Sequence, residues 1–79
     1  MAEERFNVVQ FFVDGSYEYV RRGVHAEEAV NAAKHYSTSV GARLGTTKRV
    51  IITDSGDEIN FEWEFGKGVT FPPQPEGAA

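Results

Sequence analysis

Glu58-Ile59-Asn60-Phe61-Glu62-Trp63-Glu64-Phe65 places a large apolar side chain at every second position and a polar one between. Side chains of an extended strand point alternately to opposite faces, so this stretch reads as a half-buried β-strand whose inner face is Ile59, Phe61, Trp63 and Phe65. The residues before it supply a partner. Thr47-Lys48-Arg49-Val50-Ile51-Ile52-Thr53 is rich in β-branched residues, and Asp54-Ser55-Gly56-Asp57 has turn composition. With Ser55-Gly56 as a two-residue loop, Ile52 falls opposite Ile59, Val50 opposite Phe61 and Arg49 opposite Glu62, which pairs like with like.

A second hairpin lies upstream. Phe6-Asn7-Val8-Val9-Gln10-Phe11-Phe12-Val13 is strand-like, Asp14-Gly15 is a turn, and Ser16-Tyr17-Glu18-Tyr19-Val20-Arg21-Arg22 resumes the strand pattern. Two registers fit: Asp14-Gly15 as a two-residue loop, or Val13-Asp14-Gly15 as a three-residue loop with Gly15 left-handed. Between the hairpins the period changes. Ala29, Val30, Ala33, Tyr36, Ser37 and Val40 recur at three- and four-residue steps, predicting a helix from Ala26 that Gly41 ends. Glu27 and Glu28 suit its positive end, and Lys34 and His35 its negative end. Ala42 to Thr46 reads as a loop. The alanine-rich stripe lets this helix approach a sheet closely while contributing little apolar area itself.

The fold class is therefore α+β in the order ββαββ, with two hairpins forming a four-stranded sheet and one helix packed on one face. Residues 1–5 form an N-terminal arm, 6–71 a single domain, and the Pro-, Gly- and Ala-rich residues 72–79 a disordered tail. Val69-Thr70-Phe71 precedes that tail as a short segment able to pack back on the domain.

Seventy-nine residues make a small core, and the chain has no cysteine with which to staple it. His25 and His35 stand ten residues apart with no further ligand type beside them, which argues against structural zinc. Self-association is the remaining route to extra burial. The two hairpins differ in this respect: the second has one polar face, whereas in the first strand Val9, Phe11 and Val13 point one way and Phe6, Val8 and Phe12 the other. A single helix covers only one of those faces. Either Val69 to Phe71 folds over the other, or its residues are tolerated exposed, or it is a protein interface, most simply of a homodimer, with Phe6, Val8, Phe12 and Val20 as contacts.

Other chemistry is weaker. Arg21, Arg22, Lys48 and Arg49, with Tyr17 and Tyr19 nearby, make a candidate nucleic-acid patch, set against a net charge of −4 and against neutralisation by carboxylates such as Glu62. His25 and His35 are the side chains that general acid–base chemistry would recruit, yet neither has a nucleophile motif around it. His25 reads as the residue entering the helix and His35 as a solvent-facing helix residue. Ser37-Thr38-Ser39 reads as local backbone capping. Asp54, Asp57 and Glu58 lack the ligand number and glycine placement of a calcium loop, and Gly66-Lys67-Gly68 lacks the spacing of a phosphate loop. No catalytic residue, metal or cofactor is assigned. The charged start and the shortness of every apolar run predict a cytoplasmic protein without a membrane span.

With Ala26-Glu27-Glu28-Ala29-Val30-Asn31-Ala32-Ala33 ahead of Val50-Ile51-Ile52-Thr53-Asp54-Ser55-Gly56, the chain resembles small uncharacterised bacterial proteins of hairpin-helix-hairpin layout. That resemblance implies the fold and a bacterial, cytoplasmic origin, and no functional residue. The sequence thus leads to a non-enzymatic protein-interaction module, with nucleic-acid binding as the alternative.

Overall fold

The computed structural model describes residues 4–73, so the predicted tail beyond Pro73 and most of the N-terminal arm lie outside the described residues. In chain order the elements are β1 (Phe6–Phe12), β2 (Tyr17–Val24), α1 (Ala26–Ser37), α2 (Val40–Leu44), β3 (Thr47–Thr53), β4 (Ile59–Glu64) and β5 (Gly68–Phe71). The five strands form one antiparallel open sheet in the order β2-β1-β3-β4-β5. The α+β class and the two hairpins are as predicted. The strand count is not: Val69 to Phe71 does not fold over the first hairpin but adds β5 beside β4.

The first hairpin takes the three-residue loop. Phe12 N–H donates to Ser16 O, Gly15 N–H donates to Phe12 O, and Gly15 sits at φ 92°. A residue with a Cβ rarely adopts that backbone, so the Asp-Gly pair selects this turn. Asp14 holds it from inside, accepting from both the amide and the hydroxyl of Ser16.

The second hairpin keeps the predicted faces but slides by two residues. Ile52 pairs with Phe61, Val50 with Trp63 and Arg49 with Glu64. The reason lies in the turn, where Asp54 Oδ1 accepts from the amides of Gly56 and Glu58 while Asn60 Nδ2 donates to Asp54 Oδ2. These bonds stabilise a loop longer than two residues, and the Asn60 amide and the backbone N–H groups hold the Asp54 carboxyl below its usual range. A register shift between Ile52 and Thr53 then breaks the alternation at Asn60. Asn60 lines a hollow against α1, and Ile59, predicted for the inner face, lines a shallow groove with Glu62, Glu64 and Phe71.

The core forms between α1 and the sheet from Val8, Val50, Ile52, Ala29, Ala32 and Ala33, with Phe6, Val20, Val24, Tyr36, Phe61 and Trp63 packed around it. Among the described residues only Val8 and Val50 combine substantial volume with complete burial. Five strands about 4.8 Å apart place the outer two roughly 19 Å from each other, whereas a helix is about 10 Å across. α1 accordingly packs on β1, β2 and β3 and leaves β4 and β5 without a helix above them. On the opposite face no helix of the described residues lies, yet Val9 and Ile51 are buried there. Long neighbours take the place of a second layer: Tyr19 pairs with Val9, Glu62 with Ile51, and Arg49 bridges from the Phe11 ring, 5.1 Å away, to Glu62 Oε2 at 2.6 Å.

Both sheet edges are poor templates for further strands. β2 carries two register shifts with β1, and such bulges twist an edge strand away from a regular ladder. β5 is four residues long and runs into Pro72-Pro73, which have no N–H to donate.

Candidate interaction surface

The helical stretch is shorter than predicted and is followed by a second helix. Thr38 Oγ1 donates to Lys34 O at 2.7 Å and Ser37 Oγ to the same carbonyl at 3.3 Å, closing the end of α1. Ser39 Oγ donates to Tyr36 O and accepts from Ala42 N–H, so one hydroxyl ends the first helix and caps the next. The chain turns within Ser37-Thr38-Ser39 because these hydroxyls satisfy carbonyls that a continuing helix would use. Gly45, at φ 88°, closes α2 in the left-handed position predicted for Gly41. Gly41 lies inside α2, and a Cβ there would come 3.1 Å from Thr47 Oγ1, so its lack of a side chain lets α2 sit against β3.

The five residues of α2 are oriented against their hydrophobicity. Ala42 is the buried residue, whereas Val40 is 69% exposed and Leu44 76% exposed. Being four apart, those two share one face of the helix. Two further apolar side chains are brought to the same end of the sheet. Val13 N–H donates to Thr46 O at 2.9 Å, fixing the tip of the first hairpin beside the end of α2, and Val13 is 66% exposed. Phe65 N–H donates to Lys48 O, and the Phe65 ring lies 3.2 Å from where a Cβ on Gly45 would stand, with the residue 48% exposed. Three segments distant in sequence thus converge, each holding out an apolar group.

The predicted interface is placed differently. Val8 is fully buried beneath α1, which removes it from any contact surface, and Phe6 and Val20, both half-buried, pack against the same core. The physical reason is that α1 chose the Phe6 and Val8 face of the first strand, the face taken in sequence as the uncovered one. Phe12 is half-buried and lines a shallow hollow with Val13, Lys48 and Arg49 at the α2 end.

The basic residues do not merge into one patch. Arg21 Nε pairs with Glu28 of α1 at 3.3 Å, Arg22 lies over the Tyr19 ring at 4.3 Å, and Arg49 pairs with Glu62. Arg21 and Arg22 lie on β2 and Lys48 and Arg49 on β3, with β1 between them. Phe11, Tyr17 and Tyr19 form an aromatic row at centroid separations of 5.8 and 6.1 Å. His25 occupies the N-cap position of α1, and His35 is exposed on α1 with its ring edge-on to Tyr36. Among the described residues no group of three or more His, Cys, Asp or Glu side chains is placed to hold a metal ion. No helix of the described residues is long and apolar enough to cross a membrane.

Sequence reasoning missed α2, although Ser39 and Gly45 bracket it with a capping hydroxyl and a left-handed glycine. Comparison of the chain with protein-family models, with curated proteins and with solved structures returns no match.

Proposed function

We infer that the chain is a non-enzymatic protein-interaction module that pairs with a second copy of itself through the end of the sheet carrying α2. The observation that carries this reading is the reversed polarity of α2, which buries its alanine and holds Val40 and Leu44 in water. Exposing a large aliphatic side chain forgoes about 1.5–3 kcal/mol of burial, which a partner recovers. Phe65 and Val13 extend the apolar surface at that end. The occupant proposed is a second copy because, among the described residues of this cysteine-free chain, Val8 and Val50 are the only large side chains that are fully buried, and burial between copies supplements that core. A two-fold arrangement sets the same patch against itself, so Leu44 of each copy lies at or near the axis. The opposite face of the sheet fits a partner less well, since docking there would desolvate the Arg49–Glu62 pair.

Sedimentation equilibrium at low and moderate salt tests the reading. A dimer whose affinity is insensitive to salt, converted to monomer by Leu44→Glu, is the expected result. A strict monomer over the whole concentration range overturns self-pairing, and a dimer indifferent to Leu44→Glu overturns this surface.

A further inference from the structure

At the far end of the same strands, away from α2, a hollow of about 340 Å³ opens between α1 and β4. Its walls are Phe6, Ala29, Ala33, Ile52 and Phe61, all apolar, and it exists because one helix cannot cover five strands. Alanines on the α1 side leave the volume unfilled. Val30 and Lys34 stand at its mouth, one helical turn apart on α1. Asn60 lines it as well, with its Nδ2 already donating to Asp54 Oδ2 and to Glu58 O, both at 3.0 Å. Lys34 differs. Among the described residues no carboxylate lies within ion-pairing distance of its ammonium, although the chain carries 12 acidic residues and a net charge of −4.

An apolar cavity with one unneutralised cation at its mouth is complementary to an amphiphile with one anionic end. We propose that the hollow between α1 and β4 binds a single-chain aliphatic carboxylate, with its tail between Ala29, Ala33 and Phe61 and its carboxylate on Lys34. The volume falls at the lower end of small-molecule pockets and holds about ten groups the size of a water molecule, which suits a chain of about eight carbons. Ala26 and Lys34 both line the hollow, and the helical rise between them, roughly 12 Å, sets a length for the same chain. Binding here is independent of pairing through α2, because the two sites share no residue.

The test is a titration of the full, ¹⁵N-labelled chain with sodium octanoate below its micellar concentration, alongside 1-octanol and octylammonium chloride. Octanoate is expected to move the amide signals of Ala29, Ala33, Ile52 and Phe61 and to bind about fivefold more tightly than octanol, the upper range for a partly exposed charge pair. Lys34→Glu, a change at an exposed position, should reverse the preference toward octylammonium. Val30→Glu, which puts a carboxylate at the mouth, should abolish octanoate binding. Equal affinity for octanoate and octanol overturns the role of Lys34, and shifts confined to Val40, Leu44 and Phe65 overturn the site. Co-flotation with phosphatidylglycerol vesicles in the absence of any octanoate response would assign the anion to a membrane surface and overturn the free carboxylate as ligand.

Discussion

α1 and α2 both pack on β3 and both present alanine to it, but they differ in what they show to water. α1 buries Ala29, Ala32 and Ala33 and turns Glu27, Glu28, Asn31, Lys34 and His35 outward, with Val30 as its one exposed large apolar residue. α2 buries Ala42 and turns out Val40 and Leu44. Alanine lets a helix sit close to a sheet in either case, so close seating does not separate the two. The outer surface does: that of α1 is polar apart from Val30 beside the hollow, whereas both large apolar residues of α2 stand in water. Substitutions under α1 should therefore be read in stability, and those on α2 in association.

The contrast breaks first, and most visibly, at Ala33. Ala33→Asp puts an unpaired carboxylate at a site only 2% exposed and should cost on the order of 4 kcal/mol or more, leaving an unfolded chain by circular dichroism. A folded variant melting within a few degrees of the parent would mean that α1 does not close the core. Val8→Ala removes volume from beneath the same helix and should lower stability by about 2 kcal/mol in urea denaturation, with its association per folded molecule unchanged. Gly45→Ala probes the junction between helix and patch. The left-handed backbone costs a non-glycine residue about 1–2 kcal/mol, and the Phe65 ring must also give way, so both the thermal midpoint and pairing should fall.

Asp54→Ala is a control outside both helices, and its effect depends on pH. In the folded chain Asn60 and the backbone amides hold this carboxyl below the ordinary value, so its stabilising contribution is present above the usual carboxylate range. That contribution is lost as pH falls through the lowered folded value. The difference in melting temperature between parent and variant should be open at pH 6 and close on acidification below about pH 4. Leu44→Glu should have the smallest effect on folding, within about 0.5 kcal/mol at concentrations where the parent is also monomeric, while removing the dimer. A large loss of stability in the monomer would place Leu44 with the residues under α1.

Much of this architecture is legible from local patterns. The Asp14-Gly15 turn, the alternation through Glu62-Trp63-Glu64 and the alanine spacing of α1 each fix an element because the signal and the structure involve the same few residues. What could not be read depends on distant partners. β5 has only Val69-Thr70-Phe71 between two glycines and a proline pair, too short to register as a strand until β4 supplies its hydrogen bonds. The fate of the two faces of β1 was equally hidden. Phe6 and Val8 on one side, Val9 and Phe11 on the other, are alike in hydrophobicity, and only the path of α1 decides which pair it covers. The proposed surface was hidden for a related reason: Val40 and Leu44 look like core residues by type, and their exposure follows from Ser39 starting a new helix in a new direction.

The two blunted sheet edges have a consequence for how the molecule behaves when concentrated. Edge-to-edge pairing, once allowed, leaves a new edge after every addition, so it has no natural last step and leads to fibres. Here the bulges of β2 and the prolines after β5 work against that route on both sides. Pairing through the proposed α2 patch would instead consume that patch in a single encounter, so growth by that route would stop at two.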